Sequence, residues 1–135
     1  MKNLTLIIVL ILSVSCSTIQ HDASSPVIQL TKKRCLGKCP VYDLMIYKNG
    51  LVTYNGIDNV SKRGVHQFSI PTKKMEALNK LFDDSGFKDI EIKSTKGRDF
   101  PITQLTYQNK TVSFKGNVPK NVHVIIEELE LITGI

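Results

Sequence analysis

Apolar and polar positions alternate along Tyr42 to Tyr54. Tyr42, Leu44 and Ile46 share one face, Val52 and Tyr54 share it on the return, and Asn49-Gly50 between them supplies the positive φ angles of a tight turn. This is the pattern of a β-hairpin. Val27-Ile28-Gln29-Leu30 predicts a first short strand, and Val65 to Ile70 a further one with His66, Phe68 and Ile70 on one face. Ile102 to Tyr107 and Thr111 to Phe114 predict a second hairpin, turning around Asn109-Lys110. Elsewhere the period lengthens. Met75, Leu78, Leu81 and Phe82 fall on one helical stripe after Pro71-Thr72, and Ser85-Gly86-Phe87 reads as a glycine stop in which Phe87 packs back on Phe82. From Pro119 to Thr133 a second helix places Val122, Ile125, Ile126, Leu129 and Ile132 on one face and Glu127, Glu128 and Glu130 elsewhere, ending at Gly134. The expected class is α+β, a largely antiparallel sheet of about five or six short strands with two helices packed on one face.

The first fifteen residues do not belong to that domain. Met1-Lys2-Asn3 precedes an apolar run from Leu4 to Leu12 and then Ser13-Val14-Ser15-Cys16, the charged, apolar and small-residue order of a secretory signal. The run is well short of the roughly 20 apolar residues that cross a bilayer. Ser15-Cys16 resembles the lipobox of bacterial lipoproteins, in which lipid is attached to the cysteine thiol and cleavage makes that cysteine the new N-terminus. Ser13 stands where such boxes usually carry Leu, with Leu12 one place further out. The expected organisation is a signal peptide over 1–15, a lipidated Cys16 with a polar tether to residue 26, and one domain over 27–135. Residues 17–26 are polar around the single Ile19 and cannot bury enough surface to fold. The expected address is the cell envelope, on the non-cytoplasmic side of a membrane and in particular the periplasmic face of the outer membrane, with the membrane itself as a partner through lipid on Cys16.

Charge then narrows the partners. Lys and Arg outnumber Asp and Glu by 18 to 12, and only Lys2 leaves with the signal. Outside the cytoplasm a basic balance turns from nucleic acid towards an anionic lipid, a glycan or an acidic protein face, although a solvated lysine-rich surface is its ordinary meaning.

Cys35-Leu36-Gly37-Lys38-Cys39-Pro40 is the one constellation with chemical potential. In an extended strand its cysteines would lie roughly 13 Å apart at about 3.3 Å per residue, whereas a disulfide needs Cα atoms about 4.4–6.8 Å apart. The chain must turn here, and Gly37 and Pro40 let it do so. In an exported protein the expected state is an oxidised Cys35–Cys39 staple. The alternative is thiol-redox or copper chemistry. Lys32, Lys33, Arg34 and Lys38 surround the pair and would favour thiolate, and C-x-x-x-C-P resembles the copper site of Sco-type copper chaperones, where a helix follows instead of an alternating strand. His21, His66 and His123 have no zinc-ligand spacing with the cysteines, so no metal ligands are expected. His66, on a strand face, and His123, beside the second helix's stripe, read as core histidines.

The block Arg34-Cys35-x-Gly37-x-Cys39-Pro40-x-Tyr42, followed by Ile46-Tyr47-x-Asn49-Gly50-x-Val52-x-Tyr54-x-Gly56, resembles the opening of the bacterial family known as domain of unknown function 6438. The Pro71 helix closing at Ser85-Gly86-Phe87, the Asp99-Phe100-Pro101 approach to a strand and Gly116-x-x-Pro119 agree with it. The resemblance covers nearly the whole chain after the signal and implies a shared fold and cysteine turn, with no reaction to inherit. It also points to the space between the cysteine turn and the Asp99 loop, making Lys38, Arg98 and Asp99 candidate binding residues. The loop Lys93 to Pro101 lacks periodicity, as binding loops often do, although Asp99 can equally serve only to cap the turn before Pro101.

No nucleophile elbow, H-E-x-x-H, phosphate-cradling glycine loop or dinucleotide fingerprint is present. Adjacent Asp83 and Asp84 would sit about 100° apart on a helix and cannot face one substrate atom. No catalytic residue and no cofactor are expected. The sequence therefore reads as an envelope lipoprotein with a binding or accessory role, towards a protein, glycan or lipid.

Overall fold

The computed structural model describes residues 25–91 and 100–134. Six strands form one sheet: β1 (Ile28–Lys32), β2 (Val41–Ile46), β3 (Leu51–Asp58), β4 (Gly64–Ser69), β5 (Ile102–Tyr107) and β6 (Lys110–Lys115), with helices α1 (Thr72–Asp84) and α2 (Lys120–Thr133). The spatial order is β4-β3-β2-β1-β5-β6, with every neighbouring pair antiparallel. The expected α+β architecture is the one observed. The short first strand lies at its centre, paired through Leu30 with Leu44 on one side and Leu105 on the other.

Period-two alternation gives the sheet one buried face, carrying Ile28, Leu30, Leu44, Ile46, Val52, Leu105 and Val112. Both helices lie on that face. α1 buries Met75, Leu78 and Phe82, and α2 buries Val122, Ile125, Ile126 and Leu129. Phe82 stacks on Tyr107 with centroids 4.2 Å apart and planes 10° from parallel, while Phe87 meets Phe82 edge-on at 5.3 Å, as its place after the Gly86 turn predicts. Lys74 of α1 pairs with Glu128 of α2, and Asn121 of α2 donates its amide to the Ser85 carbonyl at the other end of α1 (2.7 Å). The two helices therefore run antiparallel.

Four local expectations are corrected. The first hairpin turns at Lys48-Asn49, where the Gly50 amide donates to the Tyr47 carbonyl, and Gly50 alone of the expected Asn49-Gly50 pair takes a positive φ, 83°. The second hairpin turns at Gln108-Asn109, with Lys110 already paired to Tyr107 and Gln108 taking the positive φ of 53°. Lys110 thereby avoids the left-handed region that a long side chain disfavours. His66 is not a core residue. β4 is an edge strand almost wholly exposed, and the His66 ring lies beside Tyr54, its Nε2 2.9 Å from the Arg63 carbonyl. His123 is also exposed, with Nε2 3.3 Å from Glu127, because it falls one step outside the stripe that α2 buries.

Candidate functional site

The strands deliver their most polar cluster to one end of the sheet. β1 leaves the core at Lys32 and runs directly into the cysteine turn, from which Pro40 leads to β2. Cys35 and Cys39 are joined as a disulfide, their Cα atoms 5.9 Å apart. Inside the loop the Gly37 amide donates to Cys35 Sγ at 3.2 Å, and Leu36 at the tip is 83% exposed. Lys38 is exposed on the same loop.

A second loop, between β3 and β4, clasps this turn. Asn59, in a left-handed conformation with φ of 51°, donates its side-chain amide to the Cys39 carbonyl at 3.1 Å. Asp58 accepts from Arg63 at 2.9 Å and faces Arg34 of the cysteine turn at 3.6 Å. The loop crosses so close to β3 that a Cβ on Gly56 would stand 1.9 Å from the Lys62 carbonyl oxygen. Only glycine fits there. That carbonyl also accepts from the Tyr54 hydroxyl, and Lys62 Nζ reaches the Thr133 carbonyl near the end of α2 at 2.7 Å.

Beneath the loops, Tyr42 and Lys32 converge on Glu130 of α2. The Tyr42 hydroxyl and Lys32 Nζ each donate to Glu130 Oε1 at 2.5 Å, and Lys32 Nζ lies 5.7 Å from the Tyr42 ring centroid. Tyr42 is 1% exposed. Burial, reinforced by its hydrogen bond to the Glu130 carboxylate, holds the Tyr42 phenol far above its ordinary range. The bridge between Lys32 and Glu130 separates two clefts. One, about 270 Å³, is lined by Pro40, Tyr42, Asn59, Val60 and Ser61. The other, about 490 Å³, opens towards the start of α2 between Thr103, the loop after Gly116, Lys120 and His123.

The structure changes the reading of the basic residues around the cysteines. Lys32 is turned into the sheet end by Glu130, and Arg34 faces Asp58, so neither is dedicated to the sulfurs. Lys38 stays on the turn. Arg98 and Asp99 lie outside the described residues, as do Cys16 and His21. Among the described residues, no group of three or more His, Cys, Asp or Glu side chains is placed to share a metal ion. Asp83 and Asp84 are separated as helix geometry requires, one bound to Lys88 and the other to Lys80.

Tyr42, Glu130 and Asn59 carry the site, yet periodicity places Tyr42 on an apolar strand face and Glu130 off the helix stripe, and it singles out nothing at Asn59. Glu130 sits one residue beyond buried Leu129, and nothing local marks it as the partner of a tyrosine 88 residues earlier. The available signal was Tyr42 itself, a residue with a hydroxyl at an inward position, which demands a hydrogen-bond partner once buried.

These features define a small α+β domain whose disulfide-closed turn, clasping loop and buried tyrosine–glutamate pair are gathered at one sheet end. The family model described as domain of unknown function (DUF6438) matches residues 26–133, and the chain belongs to that family. No curated protein matches the sequence.

Proposed function

We propose that this chain is an exported, lipid-anchored envelope protein whose domain serves as a binding or accessory module rather than as a catalyst. The observation that carries this reading is the direction of β1. The domain's first described residues enter at the Ile28 end, where Val27 is tied to Ile46, and the strand then runs to Lys32 and the cysteine turn at the opposite end of the sheet. A tether from Cys16 would join the domain at this first end, opposite the turn. The Cys35–Cys39 bridge suits an oxidising compartment. A rigid, stapled loop with an exposed Leu36 among Lys33, Arg34 and Lys38 presents mixed apolar and cationic contact at low ordering cost. The partner class is an envelope protein, glycan or lipid, and the site assigned to it is the cysteine-turn end. The membrane assigned to the anchor is the outer membrane, at its periplasmic face.

Intact-mass measurement on protein extracted from cell membranes tests the anchor. The expected species begins at Cys16 with added acyl mass and lacks two hydrogens at Cys35 and Cys39, whereas a chain retaining residues 1–15 with free thiols contradicts the proposal. Photo-crosslinking in cells from position 38 and, separately, from position 48 at the opposite sheet end tests the orientation. A discrete adduct from position 38 alone is the expected result, and equal labelling from both positions counts against a site at the turn.

A further inference from the structure

The larger cleft has a chemical character of its own. Among the described residues its ionisable lining is Lys32, Lys120 and His123, with His123 Nε2 3.3 Å from the Glu127 carboxylate on the same helix. Lys32 shares its ammonium with Glu130, which belongs to the neighbouring cleft. Lys120 has no ion pair among the described residues.

Lys120 is also the first residue of α2, a 14-residue helix that begins without a side-chain cap and without an acidic residue in its first turn. A lysine at this position opposes the partial positive charge of the helix start, and the first N–H groups have no intrahelical acceptor. α1 begins with lysines as well, but there Glu128 answers Lys74. At α2 no described side chain does so for Lys120.

A second, independent feature lies across the cleft. Thr103 of β5 is 93% buried by its 7% exposure and lines the cleft wall. Its hydroxyl makes no hydrogen bond to any described residue, and no fully enclosed side-chain polar atom among the described residues is left without a partner. The hydroxyl is therefore not fully enclosed, and at the cleft wall it has no partner among the described residues. A buried hydroxyl donor facing an unpaired ammonium and an uncapped helix start is suited to an oxyanion.

We infer that this cleft is an oxyanion-binding site, taking the phosphate of a small phosphorylated ligand or of a lipid headgroup. Lys120 supplies charge, Thr103 a hydroxyl donor, and Lys120 and Asn121 the backbone amides at the start of α2, with the His123 ring at the cleft wall. The inference rests on the reading of the cysteine-turn end as the ligand-facing end, which Lys32 joins to this cleft. It is independent of whether Cys16 is acylated, so a failed anion titration and a failed anchor measurement are separate results.

The test is an amide chemical-shift titration of the full chain in nonionic detergent with inorganic phosphate, short-chain phosphatidylglycerol below its micelle concentration, and sodium chloride at matched ionic strength. Saturable shifts at Thr103 and residues 120–123 with phosphate, and not with chloride, place a free phosphate group there. The same shifts with the phosphatidylglycerol alone assign the site to a headgroup. Lys120→Met is expected to weaken the productive ligand about tenfold or more, as loss of a charge-assisted contact does, with Lys120→Arg recovering most of it. Thr103→Val is expected to weaken it severalfold at unchanged fold, as read from the rest of the amide spectrum. Lys73→Met in α1 is the control. Shifts equal to those from chloride, shifts scattered away from the cleft, or equal losses in Lys120→Met and Lys73→Met would overturn the inference.

Discussion

The Tyr42 hydroxyl donates to Glu130 at 2.5 Å, joining β2 to α2 across 88 residues of sequence. The bond closes one end of the core with a neutral phenol and a carboxylate that Lys32 also contacts. Tyr42→Phe keeps the ring in the core and removes only the donor, leaving Glu130 its lysine. Denaturant unfolding should show a loss of about 1–2 kcal/mol. An unchanged midpoint would mean that the bond adds nothing to stability.

The same pair sets a pH dependence. Burial, and then the Glu130 bond, raise the Tyr42 phenol above its value in an unfolded chain, about 10. Above that pH the unfolded chain releases a proton that the folded one keeps. The contribution of Tyr42 is thus fully present below pH 10 and is lost as pH rises beyond it, by about 1.4 kcal/mol per unit. In unfolding measurements between about pH 9 and about pH 11, the gap between the parent and Tyr42→Phe should shrink by about 1.4 kcal/mol. A constant gap would contradict the shift.

Joining Cys35 to Cys39 closes a loop of five residues, for which loop-closure entropy gives about 2 kcal/mol. Cys35→Ser with Cys39→Ser should lower stability by roughly that amount while leaving the far-end stack of Phe82 on Tyr107 intact, visible as retained near-ultraviolet tyrosine dichroism. Loss of the whole fold would show that the turn does more than staple the chain.

Phe82 is fully buried between Tyr107 and Phe87. Phe82→Ala should cost about 3–5 kcal/mol, through lost burial and the cavity left behind. Phe82→Leu, which refills most of the volume, should cost clearly less in the same thermal melts.

Gly56→Ala introduces a single methyl, yet that carbon would fall 1.9 Å from the Lys62 carbonyl oxygen and 2.9 Å from the Tyr54 hydroxyl. Both sit on the loop contact that clasps the cysteine turn, so relief requires moving the loop. A loss of about 2 kcal/mol or more is expected, together with faster amide exchange at residues 59–63. Gly64→Ala, at a φ of 84° but with open space around it, should show only the conformational cost, about 1–2 kcal/mol.

The sequence by itself determined the kinds of element, their approximate limits, the positive φ of Gly50 in the first hairpin, the packing of Phe87 on Phe82 and the spacing that lets Cys35 reach Cys39. Each of these depends on neighbours a few residues apart, where periodicity and turn chemistry act directly. His66 and His123 marked the limit of that reading, since a face assignment does not say which strand becomes an edge or where a helix stripe ends. Only the tertiary structure decided that β1 is the central strand, that Glu130 meets Tyr42 and Lys32, that Asn59 clasps the cysteine turn, and that Thr103 and Lys120 face one cleft. Those relationships join residues distant along the chain, and they are fixed by the collective burial of one sheet face under two antiparallel helices, a constraint that no short window of sequence contains.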